Sequence, residues 1–382
     1  MREVCIVSAK RTPFGRFLGS LSRLSAVDLA CHAGEAALGN LDRSSIDQVI
    51  VGNILSAGQG MNMARQVGVR LGIPVSATAF TVNMMCASGM QAISLAVHAI
   101  ASGESDIILC GGSESMSQAP HLVPRFRTGL KLGDGKLVDS ILRDGLVDSF
   151  DQRHMALTAE ALASDYSLSR AEQDAFAASS QARAAAATES GVFADELAPL
   201  DKLDRDEHPR PDTTAESLAA LEPAFDPEGS VTAGNASGIN DGSAMLLLSS
   251  WETAEARGWP ILSVVSGTAS VGCEPARMGL GPVHAIRKLL DRSSVGLAEF
   301  DQVEINEAFA AQVLACLREL ELPAEAVNPN GGAIALGHPI GASGARIVTH
   351  LAHRIASGEI RTGIASLCVG GGMGAAISLT SP

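Results

Sequence analysis

The sequence predicts a layered α/β protein made of two related halves, with a polar segment inserted in the first. Three observations carry that prediction. Residues 87–104 (ASGMQAISLAVHAIASGE) and 342–359 (ASGARIVTHLAHRIASGE) agree at nine of eighteen positions without a gap, and Asp47-Gln48-Val49 repeats as Asp301-Gln302-Val303 at nearly the same offset. Self-similarity at one spacing marks duplicated units. Short apolar runs alternate with Ala-rich stretches whose apolar residues recur every three or four positions, the signature of strands alternating with helices. Finally, residues 118–236 have no counterpart in the second half.

Along the chain, VCIVSA, VIVGNIL and DIILCGG are the strands expected of the first half, and ILSVVSG, VEINEAF and IASLCVGGG those of the second. VDLACHAGEAALG and GPVHAIRKLLDRS read as helices between them. The inserted segment is rich in Asp, Arg and Pro, as in DKLDRDEHPRPDTT, and holds one long helical stretch, SRAEQDAFAASSQARAAAA. It is expected to ride on the first half as a binding surface. The resulting division is 1–117 with 237–260, the insertion 118–236, and 261–382.

A chain of 382 residues exceeds what one core serves. Its net charge of −14 disfavours nucleic acid or an anionic membrane as partner, while a local basic patch still suits a phosphate-bearing substrate. The N-terminus lacks a secretory pattern, no uninterrupted apolar run reaches the length of a membrane span, and the ending SLTSP is not a peroxisomal tripeptide. Seven cysteines, at positions 5, 31, 86, 110, 273, 316 and 368, form no C-x-x-C. Neither a disulfide framework nor a metal site is signalled, and a reducing cytoplasm is the simplest compartment.

The repeat singles out Cys86. Ala87-Ser88-Gly89 aligns with Ala342-Ser343-Gly344, each opening a helix after a turn. A cysteine there would have its thiolate favoured by free N–H groups and the helix dipole. A free cysteine is equally at home as a small core residue. The second copy carries about ten extra residues before the same helix, roughly PNGGAIALGHPI, which bring in His338 between Gly337 and Pro339. As a neighbour of Cys86 it could accept the thiol proton. Cys368 opens Val369-Gly370-Gly371-Gly372-Met373-Gly374, too near the end of the sequence for a dinucleotide fold and better suited to an oxyanion hole. Cys110-Gly111-Gly112 is expected to form the matching turn of the first half, in a structural role. Asn306, after VEI, reads either as an amide that holds a water or carbonyl, or as a helix cap.

Cys86-Ala87-Ser88-Gly89, Asn306-Glu307-Ala308-Phe309, the run Gly331–Gly344 around His338, and Cys368–Gly374 together resemble the thiolase family. Arg11–Gly15 and Thr232–Gly238 match as well, so the resemblance spans essentially the whole chain. It implies a thiolase-like fold of two α/β/α halves in five layers with an inserted loop subdomain that binds coenzyme A. It also implies reversible condensation of two acetyl-CoA to acetoacetyl-CoA and CoA by a ping-pong route, with no permanently bound cofactor. Cys86 would carry the acyl group and His338 activate it. Cys368 would be the acid/base, Asn306 with His338 would stabilise the enolate, and Cys86 and Gly370 N–H groups would hold the oxyanion. Ser237, Ala233, His154, Met155, Phe309 and Ser217 would contact substrate or coenzyme, and the family suggests a homodimer or homotetramer.

His154-Met155 favours the short-chain biosynthetic type, whereas Ala156 and Ala87 stand where that type has glycine, where a methyl could reshape the acyl pocket. A degradative 3-ketoacyl-CoA thiolase of broader chain length is the alternative. Other readings are a ketoacyl synthase, which would lack Cys368, a non-catalytic acyl-CoA or lipid carrier, and a redox cysteine protein.

Overall fold

The computed structural model describes residues 2–293 and 295–382. In the first half, β1 (Val4–Arg11), β2 (Gln48–Gly52), β3 (Thr78–Val82), β4 (Ile107–Ser115) and β5 (Asn240–Ser250) form the sheet order β1-β5-β4-β2-β3. In the second, β6 (Ser263–Gly272), β7 (Gln302–Ile305), β8 (Thr362–Val369) and β9 (Met373–Thr380) are ordered β6-β9-β8-β7, and Val327 adds a parallel bridge to Val303 beyond β7. The two orders correspond strand for strand. Pairing is antiparallel for β1–β5 and β5–β4 and parallel from β4 to β2 and β3; it is antiparallel for β6–β9 and β9–β8 and parallel for β8–β7. The copies join edge to edge, β1 against β6, at Cys5–Val264 and Ile6–Ser263.

Helices α1 (Ala26–Leu38) and α2 (Met63–Arg70) cover the outer face of the first sheet, closing a core of Val27, Ala30, Val49, Leu109 and Leu247. Ser25 and Asp28 form a reciprocal capping box that fixes where α1 starts. The repeated segments are α3 (Ser88–Ser102) and a helix near the C-terminus, Ile340–Ala356, which pack on each other between the two sheets. That central core joins Ile93 and Ile100 to Ile347 and Leu351, with Ile108 and Leu246 of one sheet on one side and Leu367 and Ile377 of the other opposite. Burial on both sides explains why Met85–Ser102 is apolar enough by composition to cross a membrane. Glycine makes the close crossing possible. A β-carbon on Gly112 of β4 would lie 2.0 Å from the Gly341 carbonyl oxygen and 2.9 Å from the Gly89 α-carbon.

The insertion carries α4 (Met155–Asp165) and α5 (Arg170–Glu189), the latter opened by a Ser169–Glu172 capping box. The outer face of the second sheet is covered by α6 (Gly281–Ser293) and α7 (Ala310–Leu320), and the central Ile340–Ala356 helix is α8.

The fold departs from two expectations. Cys110–Gly112 lies inside β4 rather than in a turn, because glycine serves close packing there and not chain reversal. The helices of the insertion dock on the second half, α4 and α5 packing against α7 and Arg183 donating to the carbonyls of Val327, Asn328 and Ala324, while its 195–207 stretch stays on the first, where Arg11 pairs with Glu196 and Asp206.

Candidate active site

The two helix crossings bring two loops to one end of the central layer. The first runs from β3 to α3. Asn83 Oδ1 accepts from the Met85 N–H (3.1 Å), and Ser88 Oγ accepts from the Met84 N–H (2.8 Å) while donating to the Met85 carbonyl (2.6 Å). This clamp holds Met85 in the left-handed region, φ +46°, an unusual place for a side chain of that size. Cys86 follows, two residues before α3 starts. Its N-terminal position does not make it a resting thiolate: burial pushes the thiol up to about 11, against the Gly370 backbone N–H that points at the sulfur. Desolvation outweighs the helix terminus.

The second loop ends at His338, whose N–H donates to Asn240 Oδ1 (2.9 Å). Gly337 is required there: its φ is +101°, and a β-carbon would meet the Asn240 side chain at 2.5 Å. The His338 ring Nδ1 lies 2.5 Å from Ser343 Oγ, which in turn donates to the Pro339 carbonyl (3.0 Å). The hydroxyl's proton is therefore committed, so Nδ1 carries a proton and donates, leaving Nε2 with a free lone pair. Burial, and then the buried Arg346 guanidinium, push His338 down to about 4, so the ring is neutral at pH 7.

Two buried carboxylates fasten these loops. Glu114, at the end of β4, accepts from the Asn53 amide (2.8 Å) and from the N–H groups of Ile54, Leu55 and Gly341 (3.1 Å each). It thereby ties the first half to the start of α8; burial pushes it up to about 7 despite four donors. Glu307 accepts from Ser180 Oγ (2.7 Å), Asn328 Nδ2 (2.9 Å) and the Ile334 N–H (3.1 Å), joining the His338 loop to the insertion. Neither had a role in the sequence reading. The signal was available for Glu114, a lone acid closing an apolar strand.

Cys86, His338, Cys368 and Gly370 line one cavity of about 280 Å3, together with Ser237, His154, Met155 and Phe309. Cys368 is the penultimate residue of β8 and fully buried; burial, and then the charge of Cys86, raise its thiol well above the usual range. His154 caps α4, its Nδ1 accepting from the Ala156 N–H (3.1 Å), and stacks on Phe225 with ring centres 4.4 Å apart. Phe225 and Met278, also in the wall, escaped the sequence reading because nothing in their local pattern marks them.

Asn306 follows β7, its N–H donating to the Ser366 carbonyl (2.9 Å). It is not the cap of α7, a position held by Phe309. Among the described residues, both polar atoms of its buried amide lack a protein partner. Ser217 and Ala233 lie elsewhere, lining a neighbouring cavity of about 490 Å3 with Arg210 and His208. Ala87 packs in the central core and Ala156 on the buried face of α4, and neither lines the 280 Å3 cavity, so their methyl groups do not narrow it.

Residues 4–252 match the family model described as the thiolase N-terminal domain, and residues 259–381 that of the thiolase C-terminal domain. An acetyl-CoA acetyltransferase of Pseudomonas aeruginosa is 49% identical over 99% of both chains, and a probable acetyl-CoA acetyltransferase of Escherichia coli is 48% identical over 99% of both. Among solved structures, the Bacillus anthracis acetyl-CoA acetyltransferase superposes with a TM-score of 0.97 at 42% identity, covering 100% of this chain and 99% of that one. Human mitochondrial 3-ketoacyl-CoA thiolase, also solved in complex with CoA, gives 0.97 at 44%, covering 100% of this chain and 98–99% of the other.

Proposed function

Because the chain belongs to the thiolase family, we propose that it is an acetyl-CoA C-acetyltransferase, joining two acetyl-CoA into acetoacetyl-CoA and CoA and catalysing the reverse thiolysis. The observation that carries the residue assignment is the meeting of Cys86, His338, Cys368 and Gly370 at one cavity.

In the first half-reaction the Cys86 thiol passes its proton to His338 Nε2 as the sulfur attacks the thioester carbonyl. A neutral thiol beside a neutral imidazole suits this order, since the proton moves only when the nucleophile needs it. The carbonyl oxygen becomes an oxyanion facing the N–H groups of Cys86 and Gly370. As the intermediate collapses, the carbon–sulfur bond to CoA breaks, and Cys368 gives its proton to the departing sulfur. Acetyl-Cys86, imidazolium and the Cys368 thiolate remain.

In the second half-reaction Cys368 takes an α-proton from a new acetyl-CoA. The thioester oxygen of the enolate is stabilised by the His338 imidazolium and by Asn306, whose unpaired buried amide suits a bound water. The enolate carbon attacks acetyl-Cys86, forming the carbon–carbon bond. Cys86 leaves as a thiolate and recovers its proton from His338, and the proton that Cys368 gave to CoA is replaced by the one it took from acetyl-CoA, so each group ends as it began.

Ser237, His154, Met155 and Phe309 are assigned to the pantetheine end of the coenzyme. Ser217 and Ala233 are assigned to its far end, where Arg210 offers a cation to phosphate. A brief incubation with acetyl-CoA, followed by peptide mass spectrometry, tests the reading. One acetyl group on Cys86 is the expected result, and label only on other residues, or none, defeats it.

A further inference from the structure

Behind His338 stands a buried positive charge with little to pair it. The ring's Nδ1 rests on Ser343 Oγ, and Arg346 follows Ser343 by three residues on the same face of α8. Side chains on a helix lean towards its N-terminus, so the guanidinium reaches back over the turn that carries Ser343. Arg346 is buried, and among the described residues its Nε and Nη1 have no hydrogen-bond partner. The carboxylate facing it is Glu304 of β7, 4.0 Å from Nη1 and beyond hydrogen-bond reach. Glu304 Oε1 accepts from Gln302 (2.8 Å), while Oε2 is itself unpaired among the described residues.

The other charges around the guanidinium are committed elsewhere. Glu196 accepts from Arg11 of β1 (2.6 Å) and meets His350 Nδ1 (2.8 Å), and Glu307 is held by Ser180, Asn328 and the Ile334 N–H. Burial opposes the Arg346 charge and Glu304 supports it, and a guanidinium keeps its proton at neutral pH. An aliphatic chain of similar volume would serve packing as well, so a buried charge left this loosely paired points to a use for its field.

No other group facing His338 supplies that field. Burial raises the thiols of Cys86, before α3, and Cys368, on β8, so neither is charged at or below neutral pH. Burial holds His154, at the start of α4, below its ordinary range. Glu114 of β4, bonded to the Gly341 N–H, is protonated well below its value of about 7.

We propose that Arg346 is a positioning residue for His338. From one turn along α8 its charge keeps the ring neutral until Cys86 delivers a proton, then drives that proton back, and Glu304 sets how much of the charge the ring feels. The proton travels from Cys86 Sγ to His338 Nε2 and returns, and Arg346 itself gives up nothing. This rests on the acyl-transfer reading above and adds a residue to it.

The test titrates the His338 ring by NMR of the imidazole nitrogens, its signal identified by its loss in His338→Gln, beside the pH profile of kcat/KM for acetoacetyl-CoA thiolysis. In the wild-type protein both midpoints are expected near 4. Arg346→Met should raise both by about one pH unit, since burial, the larger cause, stays in place. Arg346→Lys keeps the charge and should bring both back towards the wild-type value. Glu304→Gln keeps the shape but removes the counter-charge, and should move the ring's midpoint the other way, below that of wild type. A purely structural role would lower stability without shifting the midpoint in opposite directions. An unchanged midpoint in Arg346→Met, or a shift in Arg346→Lys as large as in Arg346→Met, overturns the proposal. Should Arg346→Met not fold, an unchanged or raised midpoint in Glu304→Gln overturns it. The NMR titration needs no substrate, so its failure is separate from that of the acyl-transfer reading, which falls if wild type neither acetylates Cys86 nor cleaves acetoacetyl-CoA.

Discussion

In the first half, five residues, Asn83–Ala87, lead from an edge strand into α3; in the second, twelve, Asn328–Pro339, lead into α8. The sheets and central helices on either side of these turns correspond in order and direction. The position aligned with Cys86 is Gly341. Gly341 offers no side chain at all: its carbonyl packs against Gly89 and Gly112, and its N–H serves Glu114. One copy spends that position on the proposed nucleophile and the other on close packing, while the longer second loop carries the proposed base. Duplication gives the rigid frame, and chemistry sits where the copies differ.

The largest expected effect separates the two cysteines, which lie in different halves yet line one cavity. Cys86→Ser should abolish both acetyl labelling and turnover. Cys368→Ser should still take up one acetyl group from acetyl-CoA, while acetoacetyl-CoA formation falls by about a thousandfold or more, the scale of a lost acid/base. Single-turnover labelling set beside steady-state synthesis reads the difference. Normal turnover in Cys368→Ser would remove its role.

Next comes His338, the base proposed in the second half. His338→Gln should slow acylation about a hundredfold to ten-thousandfold. The sign of the pH dependence follows from burial and Arg346, which favour the neutral ring: the competent form is present above about pH 4 and is lost below it. The acid limb of kcat/KM should therefore lie near 4 rather than 6.5. An ion pair of Cys86 and His338 at rest would instead place a limb near neutrality.

The strands and helices were legible because apolar periodicity reports which faces are buried, and the repeat exposed the two-half plan directly. What escaped the sequence is non-local. Gly111-Gly112 looks like a chain breaker, and only the distance to Gly341 shows it to be a packing site inside β4. The docking of α5 on the second half rests on Ser180 and Arg183, ordinary residues of an Ala-rich helix. The thiolate expectation for Cys86 failed because a helix start can be read locally and desolvation cannot. Motif and duplication singled out Cys86, His338 and Cys368, which line one cavity, whereas Phe225 and Glu114 needed the fold.

The close approach itself can be broken. Gly112→Ala puts a methyl where the Gly341 carbonyl lies 2.0 Å away, on rigid backbone of both halves. Overpacking of this kind typically costs about 1–3 kcal/mol, and here no flexible side chain can yield. The urea midpoint should fall accordingly, with activity lost through separation of the two loops. An unchanged midpoint would mean that the central helices are free to slide.

The smallest effect concerns Glu114, the carboxylate shared between the halves. All its partners donate, so Glu114→Gln sets an amide N–H2 against N–H groups and should cost roughly 1–3 kcal/mol. Glu307→Gln should cost a similar amount but loosen the insertion rather than the joint between copies. The pH dependence differs in sign from that of an ordinary surface carboxylate. Burial raises Glu114 from 4.5 to about 7, so the folded state binds the proton more tightly than the unfolded chain. Its contribution is greatest below about 4.5 and is lost as pH rises through about 7, a slope that Glu114→Gln should remove. Urea denaturation of both proteins between pH 5 and 8 measures it. If the two curves stay parallel across that range, the four donors hold Glu114 ionised throughout and the joint between the halves is insensitive to pH.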